Sequence, residues 1–481
     1  MVKMYEKWDA DPVTIVYGSD LMPVSTIPFP AITVCPLSKS RADMFNLTWA
    51  LEMMDRNATM LDGDIESKLR ALAHVCDFQK SLTKHNSTGK GNIVDNLRVM
   101  TQPLETIMVH CWWRSRDIPC KSIMMERLVD DGICYTFNSL ALEEIYRKEQ
   151  ISPDFLNFSN KPPPSDWTHE HGYRTGAGFN AYPHRPLSNG MITGVVLGMT
   201  VNRVDQEPLC MGPYAGFKFS IHSPDEFPVT GDLFYRLNNM SAAFVTVSPQ
   251  VHKASELLRS IDPIKRKCFY ADEYYLQFFR HYNAVNCIVE CVANYTLMKC
   301  GCVKFSMPRL ADTKVCDVDK IDCYNNALNV LFELTVKAKL AGKKHYFCHC
   351  LPSCASIQYE VGYTQMPIND LPFKLDFMRD NADPGVMFVS LRERHYFPLW
   401  RIEQMGMNQA IAQLGGLFAL LMGSSMLSLA EIVYYCCVRR FRRDLPRLQQ
   451  RNSKQRVRSR GHRIHLRVEP YARKQKWFEG F

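Results

Sequence analysis

The sequence predicts a membrane protein in which a disulfide-rich α+β extracellular domain precedes an apolar helix and a basic tail. Residues 415–438 form an apolar run of 24 residues, which as a helix is long enough to cross an apolar bilayer core of about 30 Å. Sixteen of the 18 cysteines lie between Cys35 and Cys354, an even number that is typical of disulfides in an oxidising compartment. Residues 439–481 contain 15 Lys and Arg against three acidic residues, so the whole excess of the net charge of +9 lies in this tail.

The apolar run is interrupted by a few polar or small residues, Gly423, Ser424, Ser425 and Glu431. A buried core helix is the alternative to a membrane span. The span is favoured because four arginines follow directly, at positions 439, 440, 442 and 443, as at the cytoplasmic border of a transmembrane helix. The tail is then predicted to be cytoplasmic and to contact anionic lipid; nucleic-acid binding is the less favoured alternative.

Glycosylation signals agree with that orientation. All six N-x-S/T sites precede the apolar run: Asn46, Asn57, Asn86, Asn157, Asn239 and Asn294. Cys436 and Cys437 stand apart at the cytoplasmic border, where either palmitoylation or packing of the helix end is open. Because the first 40 residues contain no apolar signal segment, we expect a further membrane segment upstream of residue 1.

The extracellular part alternates strand and helix patterns. Runs rich in β-branched and aromatic residues predict strands at 27–35, 191–201, 214–223 and 242–248. Helical periodicity predicts helices at 47–56, 64–82, 120–132 and 140–150, and residues 160–178 are predicted to form a loop.

Ten cysteines form a block from Cys268 to Cys354. Cys287 and Cys291 are spaced i, i+4, so their thiols share one face of a predicted helix that spans residues 274–295. Cys348 and Cys350 share one face of an extended segment. An antiparallel arrangement favours a stiff block with nested pairs, which are Cys268–Cys354, Cys287–Cys350, Cys291–Cys348, Cys300–Cys323 and Cys302–Cys316. Spacing alone does not select among the roughly 945 pairings of ten cysteines. A zinc site that uses His349 is the disfavoured alternative, because extracellular thiols oxidise.

Several segments resemble the degenerin and epithelial sodium channel superfamily, and closely its insect pickpocket branch. The matching segments are FPAITVCP (29–36), GICYTFNS (132–139), GFKFSIHSPDEFP (216–228), the cysteine-rich run 266–309, CHCLPSCASIQYE (348–360) and GGLFALLMGSSMLSLAEIVYY (415–435). The resemblance implies a homo- or heterotrimer whose subunits have two membrane helices and an ectodomain of palm, β-ball, finger, knuckle and thumb. It implies the same thumb disulfides and adds Cys35–Cys134 and Cys111–Cys120, which by elimination leaves Cys76 with Cys210.

The resemblance also assigns roles in the apolar helix. The family's selectivity filter falls on Gly423, Ser424 and Ser425, where backbone carbonyls would replace part of an ion's hydration shell. A small-residue face that packs helices is the alternative. Glu431 is predicted to be a charge at the cytoplasmic pore mouth, with snorkelling toward lipid headgroups as the alternative. Ala412 matches the degenerin position, where bulky residues hold the family's pore open.

The chain departs from the family pattern at both approaches to the membrane. The cytoplasmic His-Gly motif and the first membrane helix are absent, and residues 5–15 resemble the segment just after that helix, so we expect no channel from this chain alone. Residues 391–413 differ from the usual approach to the second helix. The predicted organisation is a post-helix segment (1–17), an ectodomain (18–400, thumb about 262–356), a pre-membrane segment (401–414), the pore helix (415–438) and the tail (439–481).

The predicted function is that of a subunit of a trimeric, voltage-independent, amiloride-sensitive channel of the plasma membrane, which conducts Na⁺ passively and is gated through its ectodomain. A non-conducting single-span receptor or modulatory subunit with a cysteine-rich binding domain is the alternative. An enzyme is disfavoured, because His169 and His171 lack a third ligand at useful spacing and Gly176–Gly178 lacks the strand and helix of a nucleotide loop. We expect no cofactor, no structural metal and no nucleic-acid partner; related subunits and membrane lipid are the expected partners.

Overall fold

The computed structural model describes residues 11–56, 62–76, 92–212, 215–231, 234–342, 347–371, 381–404, 406–422 and 426–439. The chain divides into two compact units, Met1–Gln404 and Met405–Phe481. The first unit contains all the strands of the described residues and a helical layer, and the second contains helices. Each unit is therefore described separately.

The secondary structure is listed here in chain order. The strands are β1 Val13–Tyr17, β2 Met22–Pro23, β3 Ala31–Pro36, β4 Met108–Trp113, β5 Arg116–Asp117, β6 Met124–Val129, β7 Gly132–Phe137, β8 Trp167–Thr168, β9 Gly172–Tyr173, β10 Val195–Asn202, β11 Gly216–His222, β12 Tyr235–Asn238, β13 Ser241–Ala254, β14 Ser356–Pro367, β15 Ala382–Leu391, β16 His395–Tyr396 and β17 Leu399–Glu403. The α-helices are α1 Leu47–Arg56, α2 Gly63–Ala73, α3 Ile93–Met100, α4 Leu104–Ile107, α5 Cys120–Ile123, α6 Leu142–Ile145, α7 Pro208–Met211, α8 Pro263–Arg266, α9 Ala284–Cys300, α10 Ile321–Leu340, α11 Met407–Met422 and α12 Met426–Val433.

The largest sheet has eight strands in the order β1-β17-β13-β15-β10-β4-β5, with β14 also paired to β13. The 14-residue strand β13 organises it, because it runs antiparallel to β14 and parallel to both β15 and β17. At the sheet edge β1 runs antiparallel to β17, with Val13 opposite Glu403 and Tyr17 opposite Leu399. This sheet therefore joins the first described strand to the last strand before the second unit.

A second sheet of five strands, in the order β12-β11-β3-β7-β6, encloses an apolar core together with the first sheet. Its strands supply buried Ile32, Phe137 and Phe217, while the first sheet supplies Leu197 and Val245. Gly216 begins β11 at a φ of +120°, and a Cβ there would lie 2.2 Å from the carbonyl oxygen of Leu237. Glycine is required at this position, because any larger residue would both strain the backbone and separate β11 from β12.

A second core lies under the helices of the first unit. It contains Leu47 of α1, Leu72 of α2, Leu97 of α3, Cys287 of α9 and Tyr324 of α10, all of them buried. Aliphatic and aromatic side chains of this kind each gain roughly 1.5–3 kcal/mol on full burial, so the helices are held mainly by this shared core.

The predicted strands are confirmed, with shifted ends. The predicted ranges 27–35, 191–201, 214–223 and 242–248 contain or overlap β3, β10, β11 and β13. Within the predicted loop, Trp167 pairs with Tyr173 and Thr168 with Gly172, so a short hairpin lies there.

The helix predictions divide into confirmed and wrong ones. α1 coincides with the predicted 47–56, and α2 covers part of 64–82, of which residues 77–82 lie outside the described residues. The prediction of a helix at 120–132 is wrong: after α5 the chain forms β6, which pairs with β7 from Met124 to Val129 and turns at Gly132 with a φ of +98°. The 140–150 helix is limited to α6, because Tyr146 instead bridges to Phe279 and the Arg147 amide donates to Phe278.

The described part of the second unit consists of helices. α11 has 16 residues and α12 has eight, and a π-helix follows at Tyr434–Val438. Among the described residues, no helix combines the length and the apolar character that a membrane crossing requires.

Candidate functional site

The predicted filter residues fall between α11 and α12. Gly423, Ser424 and Ser425 lie outside the residues that the structure describes. Ala412 lies within α11 and Glu431 within α12, and both are exposed. α11 begins at Met407, eight residues before the start of the predicted pore helix at Gly415, and the preceding strand β17 ends at Glu403. The predicted pre-membrane segment therefore contains the end of a strand and the first turns of a helix.

The helices of the second unit expose large apolar side chains. Leu420 is 85% exposed, Leu427 72% and Ile432 57%. An apolar surface of this kind in water is unfavourable by roughly 25 cal/mol for each Å². These helices therefore present a surface that is rich in large apolar side chains.

A nested set of disulfides ties α9 to the segment before β14. Cys287 bonds to Cys350 and Cys291 to Cys348, with Cα–Cα distances of 5.7 and 5.8 Å. The i, i+4 spacing places both sulfurs on one face of α9. Cys348 and Cys350 belong to an irregular segment and not to a strand, so the predicted strand there is wrong although both cysteines reach α9. Cys268–Cys354, Cys300–Cys323 and Cys302–Cys316 complete the block.

The two long helices of this block form a hairpin. The Cys300–Cys323 disulfide joins the end of α9 to the start of α10, and Tyr295 packs against Ala327 and Leu331 further along. Asn283 caps the start of α9, its side chain accepting a hydrogen bond of 2.8 Å from the Asn286 amide, and Gly301 follows the end of the helix with a φ of +70°. Residues 274–282 stay outside the helix, because Glu290 accepts from the Gln277 and Phe278 amides at 2.8 and 2.9 Å.

The base of the hairpin contains a buried arginine. Arg266 donates to the carbonyl oxygens of Cys268, Leu258 and Ile261, each at 3.0 Å, and forms an ion pair with Glu273. Its side chain is fully buried. The arginine therefore fixes the chain beside the Cys268–Cys354 bridge through a guanidinium group that has no access to water.

Three further disulfides lie outside this block. Cys35 of β3 bonds to Cys134 of β7, and Cys111 of β4 bonds to Cys120 of α5. Cys76, after α2, bonds to Cys210 of α7. The structure thus joins sixteen cysteines of the first unit in eight disulfides: the five pairs favoured for the block, the two implied by the family resemblance, and Cys76–Cys210, which elimination had only left over. Cys436 and Cys437 are free and exposed.

Sequence reasoning missed a partly buried acid cluster after the end of β11. Asp225 accepts from His169 at 2.8 Å, from Ser223 at 2.6 Å and from Asn283 at 3.1 Å. Burial opposes its ionisation, but these partners, His169 foremost, hold the pKa of Asp225 well below its usual range. Burial and the charge of Asp225 raise the pKa of Glu226 to about 7. The adjacent carboxyls after a strand of alternating apolar residues were the available signal in the sequence.

The predicted glycosylation sites differ in their surroundings. The side chains of Asn46, Asn157 and Asn294 are exposed. Asn239 is half-buried and its amide nitrogen donates to Asp383 at 3.1 Å, while Asn57 and Asn86 lie outside the described residues. His169 and His171 occupy the turn between β8 and β9, as the loop prediction implied.

Comparison with known proteins shows to which family this chain belongs. The sequence model of the amiloride-sensitive sodium channel matches residues 1–435, from the start of the chain through α12. The chain belongs to the amiloride-sensitive sodium channel family. The family is one of ion channels and not of enzymes.

Individual members of the amiloride-sensitive sodium channel family are similar over most of the chain. Pickpocket protein 28 of Drosophila melanogaster is 26% identical over 455 residues, which cover 91% of this chain and 71% of that protein. Sodium channel protein Nach of the same species is 24% identical over 448 residues, covering 90% and 78%. The human bile acid-sensitive ion channel is 24% identical over 260 residues, covering 51% and 48%.

Proposed function

We propose that this chain is a subunit of a trimeric, voltage-independent, amiloride-sensitive channel that conducts Na⁺ passively across the plasma membrane. Membership of the family carries the proposal, because the matched residues extend through α11 and α12 and so include the candidate pore helix. Related subunits complete the trimer, and the basic tail contacts cytoplasmic lipid headgroups.

The exposed apolar surface of α11 and α12 supports this proposal. Leu420 and Leu427 are largely exposed. In a channel such side chains face lipid or neighbouring subunits, while the small residues Gly423, Ser424 and Ser425 form the narrow part of the pore. Glu431, six residues beyond Ser425, then lies roughly 9 Å further along the helix and attracts cations at the cytoplasmic mouth.

The ectodomain supplies the gate control in this proposal. Strand β17 leads within four residues to α11, on which Ala412 occupies the degenerin position. Displacement of the large sheet therefore acts on the helix through a very short connection. Glycans are proposed at the six sequons, of which Asn46, Asn157 and Asn294 are exposed.

A bulky substitution at one position tests the proposed selectivity filter. The full-length protein is expressed in oocytes together with related subunits, and the ratio of Na⁺ to K⁺ permeability is taken from reversal potentials. Ser425→Phe is expected to lower that ratio by at least about tenfold, which corresponds to about 1.4 kcal/mol of lost discrimination.

The matched control is Ser428→Phe, three residues further along the chain and within α12, which is expected to leave the permeability ratio unchanged. Unchanged selectivity in Ser425→Phe would reject the filter assignment. Absence of any amiloride-blocked current in every subunit combination would instead favour a non-conducting modulatory subunit or receptor.

A further inference from the structure

A cavity of about 560 Å³ lies where the α9–α10 hairpin meets the end of β11. Its volume falls within the range of roughly 300–1,000 Å³ that is usual for sites of small organic ligands. All its walls belong to the first unit. The cavity is separate from the candidate pore residues and has no part in the function proposed above.

The walls of the cavity are mainly apolar. α9 contributes Val289 and Val292 from one face, α10 contributes Leu328 and Phe332 at i, i+4, and Phe227 lies on the opposite side after β11. Water that fills a cavity lined in this way makes few hydrogen bonds to the protein. An apolar molecule that displaces such water gains free energy from burial of its own surface.

The charged groups that line the cavity largely compensate one another. Asp130 lies 3.3 Å from the Lys304 ammonium group and accepts a hydrogen bond of 2.6 Å from Ser306. His222 has both ring nitrogens occupied, one by the Thr33 hydroxyl and one by the Ser223 carbonyl, each at 2.9 Å. Burial lowers the pKa of His222 to about 4, so it is neutral at physiological pH.

Glu226 is the remaining acidic group of the lining. One of its oxygens accepts from the Ser223 amide at 3.0 Å, and within the described part of the chain no ion pair is formed by this carboxyl. The groups that face it are Asp225, the Asp225-paired His169, His222 and Tyr359. Burial and the Asp225 charge raise the pKa of Glu226 to about 7, so near neutral pH a substantial fraction carries a proton and can donate a hydrogen bond.

We propose that this cavity binds a neutral, largely apolar organic molecule that carries a hydrogen-bond acceptor facing Glu226. A neutral ligand fits because the lining is apolar and the Asp130 and Lys304 charges are already paired. A ketone or ester oxygen would accept a hydrogen bond from protonated Glu226. An anionic head group would face this carboxyl without a cationic partner, and a cationic head group would have to leave water for the Glu226 carboxyl alone. Because the walls belong to both the α9–α10 hairpin and the β11 region, the bound molecule links these two parts of the ectodomain.

Three naphthalene probes with the same ring system separate the alternatives. Acetylnaphthalene is neutral, naphthylmethylamine is cationic and naphthoate is anionic. Their binding to the full-length protein in lipid nanodiscs is measured by equilibrium dialysis, with empty nanodiscs as the reference for partitioning into lipid. Saturable binding is expected for acetylnaphthalene, with at least about tenfold weaker binding of the two charged probes.

Two substitutions locate the site. Leu328→Trp fills the cavity and is expected to abolish saturable binding of acetylnaphthalene. Val336→Trp, two turns further along α10 at an exposed position, is the matched control and is expected to bind as the unsubstituted protein does. Val289→Phe narrows the cavity from α9 and replaces Leu328→Trp if that variant fails to fold. It is likewise expected to abolish saturable binding of acetylnaphthalene.

The pH dependence tests the role of Glu226. Because the neutral ligand favours the protonated carboxyl, its affinity is expected to fall about tenfold between about pH 6 and pH 8. Glu226→Gln keeps a donor that does not titrate, so its affinity is expected to stay constant over this interval. Equal binding by Leu328→Trp, preference for a charged probe, or a pH-independent affinity of the unsubstituted protein would each overturn the proposal. None of these outcomes depends on ion conduction.

Discussion

Two helical regions of this protein reach similar lengths by different means. α9 has 17 residues and three of its cysteines, Cys287, Cys291 and Cys300, are bonded to other segments. α11 has 16 residues and contains no cysteine, and Leu420 near its end is 85% exposed. The first helix is fixed by bonds within its own chain, whereas the second has no disulfide and exposes large apolar side chains.

The difference extends to polar groups. At the base of the α9–α10 hairpin, the charge of Arg266 is buried and has four partners. On α12 the charge of Glu431 is exposed. Buried polar groups stabilise only when every partner is present, so the hairpin is sensitive to single changes at its base.

The largest expected effect comes from the nested disulfides. Removal of Cys287–Cys350 alone, or of Cys291–Cys348 alone, is expected to lower the free energy of unfolding by about 2 kcal/mol, because the neighbouring bridge still closes nearly the same loop. Removal of both bridges is expected to cost about 6 kcal/mol, since the longer loop then opens as well. Thermal unfolding in detergent is measured for four forms: the unsubstituted protein, each variant in which alanines replace one bridge, and the variant that lacks both bridges. The four unfolding free energies give the coupling between the two bridges.

Strict additivity of the two single removals would contradict this reading of the nested pair. The Cys111–Cys120 bridge, which closes a loop with a separation of nine residues in another part of the ectodomain, is the control. Its removal is expected to add independently to either single removal, because the two sites share no loop.

The next effect concerns the buried arginine. Arg266→Met is expected to lower the free energy of unfolding by about 3–5 kcal/mol, because it removes a buried donor that bonds three carbonyl oxygens and pairs with Glu273. The neighbouring Lys267→Gln removes only an exposed pair with Asp11 and is expected to change stability by less than about 1 kcal/mol. Equal midpoints of thermal unfolding for the two variants would show that the base of the hairpin is not a buried network.

The smallest expected change in free energy comes from placing a charge on an exposed leucine, and it compares α11 directly with the α9–α10 hairpin. Leu420 on α11 and Leu340 at the end of α10 are 85% and 84% exposed. If α11 lies in lipid, Leu420→Lys is disfavoured by about 3 kcal/mol and is expected to reduce delivery to the cell surface strongly. Leu340→Lys places the same charge in water and is expected to leave surface labelling unchanged. Equal surface labelling of both variants would remove the contrast between the regions.

Local chemistry accounts for what the sequence predicts well. The i, i+4 spacing of Cys287 and Cys291 follows from helix geometry alone, and α1 and β11 follow from their periodicity. The helix predicted at 120–132 is wrong because pairing of β6 with β7 outweighs the helical pattern of Met124–Val129. The Asp225–Glu226 cluster and the cavity beside it arise from residues far apart in the chain, so periodicity carries no signal for them.

The candidate filter could be assigned only through family resemblance. The residue types at 423–425 fit either a pore or a helix contact, and the sequence of one chain does not tell which helix face meets other subunits. The pairing of Cys76 with Cys210 was reached by elimination, whereas the structure gives its reason: α7 brings Cys210 to the end of α2.

The pairing of β1 with β17 has a mechanical consequence. Val13 lies opposite Glu403, and the Gln404 amide donates to the Pro12 carbonyl at 2.8 Å, so the chain enters β1 and leaves β17 at the same end of the ladder. A force that separates these two chain ends opens the rungs one after another, which needs little force at each step. A force that moves both ends together loads all five pairs and passes into β13 through its contacts with β17. The ladder therefore transmits concerted motion and yields to separation.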